Sequence, residues 1–271
     1  GGGGGFGIGG RSIGIGTIVI ALLAWGVFGI NPLTTIGVLG GAGSQVSQPA
    51  PGQAPPANDQ AAAFVSTVLA STEDAWTQIF RQGGAQYREP RLVLFRGATR
   101  TACGMGQSAM GPFYCPADQK VYLDMEFFDT LQRQLNAPGE FARAYVIAHE
   151  VGHHVQTLLG TTGKVDSLRG RVSERENNAL SVRMELQADC FAGIWANKSQ
   201  QAKNWLEQGD LESAMNAAAR IGDDHLQRQQ TGMVRPDTFT HGSSAQRQRW
   251  FAQGFKTGSV QACDTFNAQS L

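Results

Sequence analysis

The sequence has no excess of charge of either sign and almost no charge near its N-terminus. It contains 22 basic and 22 acidic side chains among 271 residues. No net field therefore draws the chain toward nucleic acid or an anionic membrane surface. Arg11 is the only charged residue before Asp59, so the N-terminal region has to be considered apart from the rest of the chain.

The absence of charge extends over a length that suits a membrane span. Residues 12–30, SIGIGTIVIALLAWGVFGI, form an uncharged run of 19 residues, close to the ~20 that cross a bilayer as a helix. We expect a single transmembrane anchor within a glycine-rich segment, residues 1–43. The alternative is a cleaved signal peptide, but the run is longer than a usual signal-peptide core and no clear cleavage motif follows it. Arg11 favours an N-terminus on the cytoplasmic side.

A linker rich in proline and small polar residues follows the predicted anchor. Residues 44–60 include SQVSQPAPGQAPPAND, a composition that favours extended polyproline II and cannot form a core. The sequence therefore predicts a spacer. Residues 61–271 remain, which is enough for one substantial domain.

Cysteine is scarce, and all of it lies beyond the predicted anchor. Glycines and prolines between Cys103 and Cys115 suggest a hairpin closed by these two residues, which leaves Cys190 to pair with Cys263. Four buried free thiols are the alternative. Paired cysteines are typical of an oxidising compartment, so we expect the domain on the extracytoplasmic, periplasmic side of the cytoplasmic (inner) membrane.

Hydrophobic periodicity within residues 61–271 predicts an α+β fold that is mainly helical, with a small β-sheet. Proline is absent from residues 140–159 and Gly160 follows at a helix C-cap position, while Ser173 and Glu176 form a capping box that starts a second long helix. The other predicted elements are a helix at residues 64–82 and strands at residues 91–97 and 120–128.

The chain has five histidines, and three of them lie within one apolar stretch, AYVIAHEVGHHVQTLLG. His149, Glu150 and His153 form an H-E-x-x-H motif on the predicted helix, where both histidines lie on one face. Two imidazoles at this spacing can bind one Zn²⁺, with the carboxylate close enough to hold a water molecule. Histidines that merely line a core are the alternative. His154 points about 100° away and is expected to pack or hydrogen-bond.

A catalytic zinc site needs a third protein ligand, and the second long helix offers a carboxylate pair. Glu185 and Asp189 are four residues apart, on one face of this helix, among large apolar residues. A buried acidic pair needs a partner. A solvated pair beside Arg183 is the alternative.

Small residues on both helices predict that the two helices pack closely. Ala188, Ala192 and Gly193 lie on the second helix, and Gly152 offers a matching gap on the first. We therefore expect Gly193 to face the helix of the H-E-x-x-H motif.

The segments HEVGHHVQ, ELQADCFAG and FTHGSSAQRQRWF resemble the bacterial neutral zinc metallopeptidase family, the YpfJ-like, gluzincin-type membrane-anchored peptidases. The resemblance covers nearly the whole chain and implies a zincin-like domain. The E-x-x-A-D element also resembles that of HtpX-like gluzincins, in which the glutamate is the third zinc ligand. The resemblance implies that Glu185 binds zinc and that Asp189 orients a ligating histidine.

His241 is a further candidate, because it lies in a polar turn just before a helix that starts at Ser243. Turns at such positions often face active sites. His241 is a candidate to stabilise an oxyanion; the alternative is that it only holds the loop. We assign no role to His225.

Together these features predict a membrane-anchored zinc metalloendopeptidase. It would hydrolyse peptide bonds with a zinc-activated water, for which Glu150 is the general base. The strand at residues 120–128 is expected to bind extended substrate backbone. The expected partners are a peptide or protein substrate and the membrane, with a membrane-protein partner or a second copy of the chain also compatible with the sequence. The alternative function is a zinc-containing, membrane-tethered binding or assembly protein with little hydrolytic activity.

Overall fold

The computed structural model describes residues 59–107, 111–133 and 139–271. The predicted transmembrane helix at residues 12–30 and nearly all of the predicted linker lie outside these ranges. Among the helices within them, none is long and apolar enough to cross a bilayer.

The first described helix, α1 (Gln60–Gln82), begins a turn earlier than its apolar stripe predicts. The Asp59 side chain accepts the backbone N–H groups of Ala61 and Ala62, at 3.0 and 3.1 Å. This N-cap satisfies donors that a helix otherwise leaves unpaired, so the helix starts ahead of its buried face.

Within the described residues, five short strands form two small sheets. In the larger sheet the order is β1 (Arg91–Phe95), β5 (Lys120–Asp124), β4 (Phe113–Cys115), with β1 parallel and β4 antiparallel to β5. The strands β2 (Ala98–Thr101) and β3 (Gly104–Gln107) form a separate antiparallel hairpin. With the helices described below, this is an α+β fold that is mainly helical.

The strand predicted at residues 120–128 is shorter than expected. It ends at Asp124, and helix α2 (Phe127–Arg133) begins almost at once. Asp124 Oδ1 accepts the backbone N–H of Glu126 at 3.1 Å and so supports the turn between them. β5 is the central strand: β1 pairs with it along its whole length and β4 pairs with residues 120–122. This pairing counts against the prediction that β5 binds substrate backbone. The strand next to it, β4, lies at the edge of the sheet.

Two helices carry the predicted ligands, and their ends agree closely with the sequence signals. Helix α3 (Glu140–Leu158) is followed by Gly160 in the left-handed conformation, at φ 77°. The capping box of Ser173 and Glu176 starts α5 (Glu174–Lys203), and a second capping box starts α8 (Ser244–Thr257). The remaining helices are α4 (Thr161–Leu168), α6 (Asp210–Arg220) and α7 (Asp223–Thr231), with 3₁₀ turns at Pro236–Thr238 and Val260–Cys263.

Helix α5 lies between α3 and α8 and approaches both closely. A Cβ atom added at Gly152 of α3 would lie 3.0 Å from the Ala188 carbonyl oxygen, so this predicted contact is confirmed. Gly193 faces the other way, where an added Cβ would collide with the Phe251 carbonyl oxygen of α8. The expectation that Gly193 packs against the H-E-x-x-H helix is therefore wrong.

Both predicted disulfides are confirmed. The Cys103–Cys115 bond ties the β2–β3 hairpin to β4, and the Cys190–Cys263 bond ties the C-terminal 3₁₀ turn to α5. Both sulfurs of the second bond belong to fully buried residues, so the end of the chain is fixed against the helix that carries Glu185.

Candidate metal centre

The structure brings His149, His153 and Glu185 together from two helices. One possible ligand atom from each lies within 4.8 Å of those from the other two. His149 Nε2 is 3.2 Å from Glu185 Oε2, and His153 Nε2 is 3.4 Å from Glu185 Oε1. Two imidazoles and one carboxylate are a donor set of catalytic zinc sites, so these residues fit a zinc ion.

Each of the three side chains stabilises the ionised form of its neighbours. Burial opposes ionisation of Glu185, but His153 and His149 lower the pKa of its carboxyl well below the usual range. Burial likewise opposes protonation of His149, yet Asp189 and Glu185 raise the pKa of its imidazole to about 10. The pKa of His153 is also raised, against the effect of burial, mainly by Glu185. In the metal-free protein the nearby carboxylates therefore favour the positively charged form of both imidazoles, most strongly that of His149.

Asp189 orients His149, as the family resemblance implied. His149 Nδ1 donates to Asp189 Oδ1 at 2.8 Å, and the Asp189 carboxylate is fully buried. Two further residues that the sequence did not single out hold this carboxylate. Tyr145 donates its hydroxyl at 2.5 Å, and Arg247 donates Nε and Nη2 at 2.8 and 2.9 Å.

A sequence signal for Arg247 exists in hindsight. Trp250 and Phe251 follow it by three and four residues on α8, so Arg247 lies on the apolar face of that helix. A cation on a buried face needs an anion. This signal predicts a buried partner for Arg247 without indicating that the partner is Asp189.

His153 also has a buried partner, and it too was missed. Its Nδ1 lies 2.9 Å from Oε1 of Gln156, which stands three residues further along α3 and is fully buried. Each histidine of the motif therefore has an acceptor behind the ring.

Glu150 lines the same cleft as His149, Glu185 and His241. The backbone N–H of Tyr114, on strand β4, hydrogen-bonds to its carboxylate, while burial raises the pKa of the group. Glu150 is thus a buried carboxylate that faces the ligand cluster, at the position where the motif requires a base.

His241 is buried in the loop before α8 and lines this cleft. Its Nδ1 is 2.9 Å from Asp223 Oδ1, and its Nε2 has no hydrogen-bond partner among the described residues. Burial opposes protonation, but Asp223 raises the pKa of the ring. The other oxygen of Asp223 accepts the backbone N–H groups of Thr240, His241 and Gly242 at 2.7, 2.7 and 3.0 Å. Asp223, at the start of α7, was not predicted to have a role.

The other two histidines lie outside the ligand cluster. His154 hydrogen-bonds to the Tyr114 hydroxyl and the Arg88 carbonyl oxygen, at 3.1 and 2.6 Å, which confirms the expected packing and hydrogen-bonding role. His225 is not among the residues that line the cleft. The cleft also has an apolar wall, which includes Phe127, Val146 and Ile221.

Two histidines one turn apart, a glutamate from a second helix and a carboxylate beside them form the centre expected of a zinc metallopeptidase. The family described as "Putative neutral zinc metallopeptidase" matches residues 1–266, and the chain belongs to this family.

Two relatives show how widely this sequence is shared. The protein YpfJ of Escherichia coli strain K12 is 57% identical over 211 residues, which cover 78% of this chain and 73% of YpfJ. The protein Rv2575 of Mycobacterium tuberculosis strain H37Rv is 41% identical over 218 residues, which cover 77% of this chain and 73% of Rv2575. Both bear the designation "uncharacterized protein", so neither lends an activity to this chain. No solved structure matches the chain significantly.

Proposed function

We propose that this protein is a zinc-dependent metalloendopeptidase in which His149, His153 and Glu185 hold the metal and Glu150 is the general base. The observation that carries the proposal is the convergence of three ligand side chains within 4.8 Å. Two of them, His149 and Glu185, line a cleft that Glu150 also lines. A zinc-containing protein with a purely structural site gives no reason for the buried carboxylate at position 150.

A bound zinc ion would act as a Lewis acid and make hydroxide available at neutral pH. Glu150 accepts the proton of the attacking water and later donates it to the leaving amine. Burial raises the pKa of Glu150, which brings the carboxyl closer to the neutral range where a general base and acid work best.

His241 would donate a hydrogen bond to the oxyanion that forms at the peptide carbonyl. Its Nδ1 donates to Asp223, and its Nε2 is buried, lacks a partner among the described residues and belongs to a side chain that lines the cleft. A preorganised donor of this kind stabilises charge that develops in the transition state.

The substrate backbone would bind along β4 instead of β5. Strand β4 lies at the sheet edge, and the backbone of its Tyr114 contacts the general base. Extended peptides commonly add to such edges through main-chain hydrogen bonds. The apolar wall of Phe127, Val146 and Ile221 favours an apolar side chain next to the scissile bond.

We further propose that residues 12–30 anchor the protein in the cytoplasmic membrane, with residues 61–271 on the extracytoplasmic side. The uncharged run of 19 residues supports the anchor. The two disulfides support an oxidising compartment.

The test compares zinc content with cleavage of an unstructured protein, with and without a chelator. Glu150→Gln keeps the size of the side chain but cannot accept the proton, so the variant should retain zinc and lose about 10²- to 10⁴-fold in turnover. Glu185→Gln should instead lose zinc, because an amide is a poorer ligand for the cation than a carboxylate.

Two outcomes would contradict the proposal. Equal cleavage by the wild type and Glu150→Gln would show that the mechanism is wrong. A zinc-loaded wild type that cleaves none of a varied set of substrates would favour the binding or assembly protein.

A further inference from the structure

We infer that Gln156 and Gln187 are positioning residues, which together fix the nitrogen of His153 that faces the metal site. The inference rests on the proposed metal site and assigns a role to two side chains that the mechanism above does not use. Both are buried on the ligand-bearing helices, Gln156 on α3 and Gln187 on α5.

The direction of the Gln156 amide is set by a backbone carbonyl. Its Nε2 donates to the Met184 carbonyl oxygen at 2.7 Å, and also to Gln187 Oε1 at 3.2 Å. A backbone carbonyl can only accept a hydrogen bond. The amide nitrogen must therefore point to Met184, and the amide oxygen must point to His153.

A second backbone carbonyl sets the direction of the Gln187 amide in the same sense. Gln187 Nε2 donates to the Cys263 carbonyl oxygen at 3.1 Å, which leaves Gln187 Oε1 to accept from Gln156. Cys263 is itself held on α5 by its disulfide with Cys190. Neither amide can flip without facing a carbonyl oxygen with its own oxygen, which would leave a buried acceptor unpaired.

This direction decides the tautomer of His153. Gln156 Oε1, 2.9 Å from His153 Nδ1, offers no proton, so Nδ1 must carry the hydrogen. In a neutral imidazole the other nitrogen then holds the lone pair. That nitrogen, Nε2, is the one that lies 3.4 Å from Glu185 Oε1, toward the ligand cluster. Metal-binding histidines depend on such an acceptor for tautomer and ring orientation.

The neutral amide behind His153 differs in charge from the carboxylate behind His149. Asp189 carries a charge that Arg247 neutralises, whereas Gln156 is a neutral amide and needs no counter-ion. The amide supplies an acceptor to His153 and donors to Met184 and Gln187 without adding a buried charge that would need compensation.

The test measures metal binding by the full chain in detergent micelles. Gln156→Met keeps the length of the side chain and removes its hydrogen bonds. We expect zinc affinity, measured by competition with a chromogenic chelator, to fall about 10- to 100-fold. The visible absorption spectrum of the Co²⁺-loaded protein should change as well, because the His153 ring is no longer held.

The matched control is Gln248→Met on α8. Gln248 also donates to a backbone carbonyl, that of Met215, at 3.1 Å, but lies outside the two ligand-bearing helices. This control should leave zinc affinity and the Co²⁺ spectrum unchanged. If Gln156→Met does not fold, Gln187→Met carries the test, with a smaller loss of affinity expected because Met184 still orients Gln156.

Unchanged zinc affinity and an unchanged Co²⁺ spectrum in folded Gln156→Met or Gln187→Met would overturn the inference while leaving the metal site intact. A wild type that binds neither metal would overturn the inference and the proposed function together.

Discussion

The two imidazoles that face Glu185 differ in the residues that hold them from behind. His149 donates to Asp189, a charged acceptor that is neutralised by Arg247, and His153 is hydrogen-bonded to the neutral amide of Gln156. Because Arg247 offsets Asp189, the carboxylates of Glu185 and Glu150 remain to face a cation. Two carboxylates suit a divalent metal ion. If Arg247 did not neutralise Asp189, a third buried negative charge would remain beside the site.

If His241 donates a hydrogen bond to the oxyanion, its removal should slow the chemical step. His241→Ala should lower kcat about 10²- to 10³-fold, which is the loss found when one such donor is removed, and should leave the zinc content unchanged. His225→Ala is the control, because His225 does not line the cleft. An unaltered kcat in His241→Ala would mean that the residue only holds its loop.

The Asp223–His241 pair also predicts a pH dependence. Asp223 accepts a hydrogen bond from Nδ1 of His241, so Nδ1 keeps its proton. Nε2 then carries a proton only while the ring is positively charged. Activity should therefore fall as the pH rises through the pKa of His241, which Asp223 raises. Asp223→Asn should move this fall in kcat to lower pH. A pH–rate profile that is the same in both proteins would show that this ring does not titrate in catalysis.

At this scale the sequence identified residues that are close to each other along one helix. The spacing of His149, Glu150 and His153 predicted their roles. The spacing of Glu185 and Asp189, together with the family resemblance, predicted that these two act as a pair. Arg247 and Tyr145 could not be assigned in this way, because their shared partner Asp189 is separated from them by 58 and 44 residues. Their contacts depend on how three helices pack.

Among the elements, the crossing of α5 and α8 places Arg247 against Asp189. The crossing is close because both helices have glycine at the contact. A Cβ added at Gly193 would collide with Phe251 O, and one added at Gly254 would collide with Cys190 O. A side chain at either position would push apart the helices that carry the two halves of this ion pair.

The prediction at this scale is that Gly254→Ala destabilises the fold. Overpacking of a tight contact typically costs about 1–3 kcal/mol in free energy of unfolding. Gly163→Ala on α4 is the matched control, because an added Cβ there meets no atom within 4 Å. That change should be neutral or stabilise by up to about 1 kcal/mol. Chemical denaturation of both variants gives the comparison, and equal midpoints would contradict the account.

Helix ends were easier to predict than strand ends or helix partners. The capping boxes at Ser173 and Ser243 are local signals, and both are present in the structure. The strand predicted at residues 120–128 was too long because buried apolar residues such as Phe127 and Phe128 suit a helix as well as a strand. A small residue such as Gly193 permits a close approach without indicating which neighbour makes it.

For the molecule as a whole, a metal ion at the centre would join α3 to α5 and stabilise the folded state. In the metal-free protein the pKa of His149 is raised to about 10. Its protonation therefore stabilises that form below the ordinary histidine pKa of about 6.5, and this stabilisation is lost as the pH rises through about 10. Zinc requires the neutral imidazole, so zinc and protons compete.

We therefore predict that zinc binding releases protons near neutral pH and that apparent zinc affinity rises with pH. Calorimetric titrations in buffers of different ionisation enthalpy should give heats that vary with the buffer. Glu150→Gln keeps all three ligands and should also show buffer-dependent heats. Heats that are independent of the buffer would show that the imidazoles are already neutral before zinc binds.

Most of the N-terminal region lies outside the residues that the structure describes. The anchor at residues 12–30, the linker at residues 44–60 and the extracytoplasmic location stay predictions, except that the last two linker residues, Asp59 and Gln60, are the N-cap and first residue of α1. The mainly helical α+β fold of residues 61–271 was predicted from local hydrophobic patterns. Both disulfides were predicted from the hairpin signal between Cys103 and Cys115, which left Cys190 with Cys263.

The central claim is that one zinc ion is held by two side chains of α3 and one of α5. Diffraction from zinc-loaded crystals at wavelengths on either side of the zinc absorption edge locates the ion directly. The account predicts one strong anomalous peak, at ~2.0–2.1 Å from Nε2 of His149 and of His153 and ~2.0–2.2 Å from a Glu185 oxygen. A zinc ion bound by other residues, with no peak at these three, would contradict it.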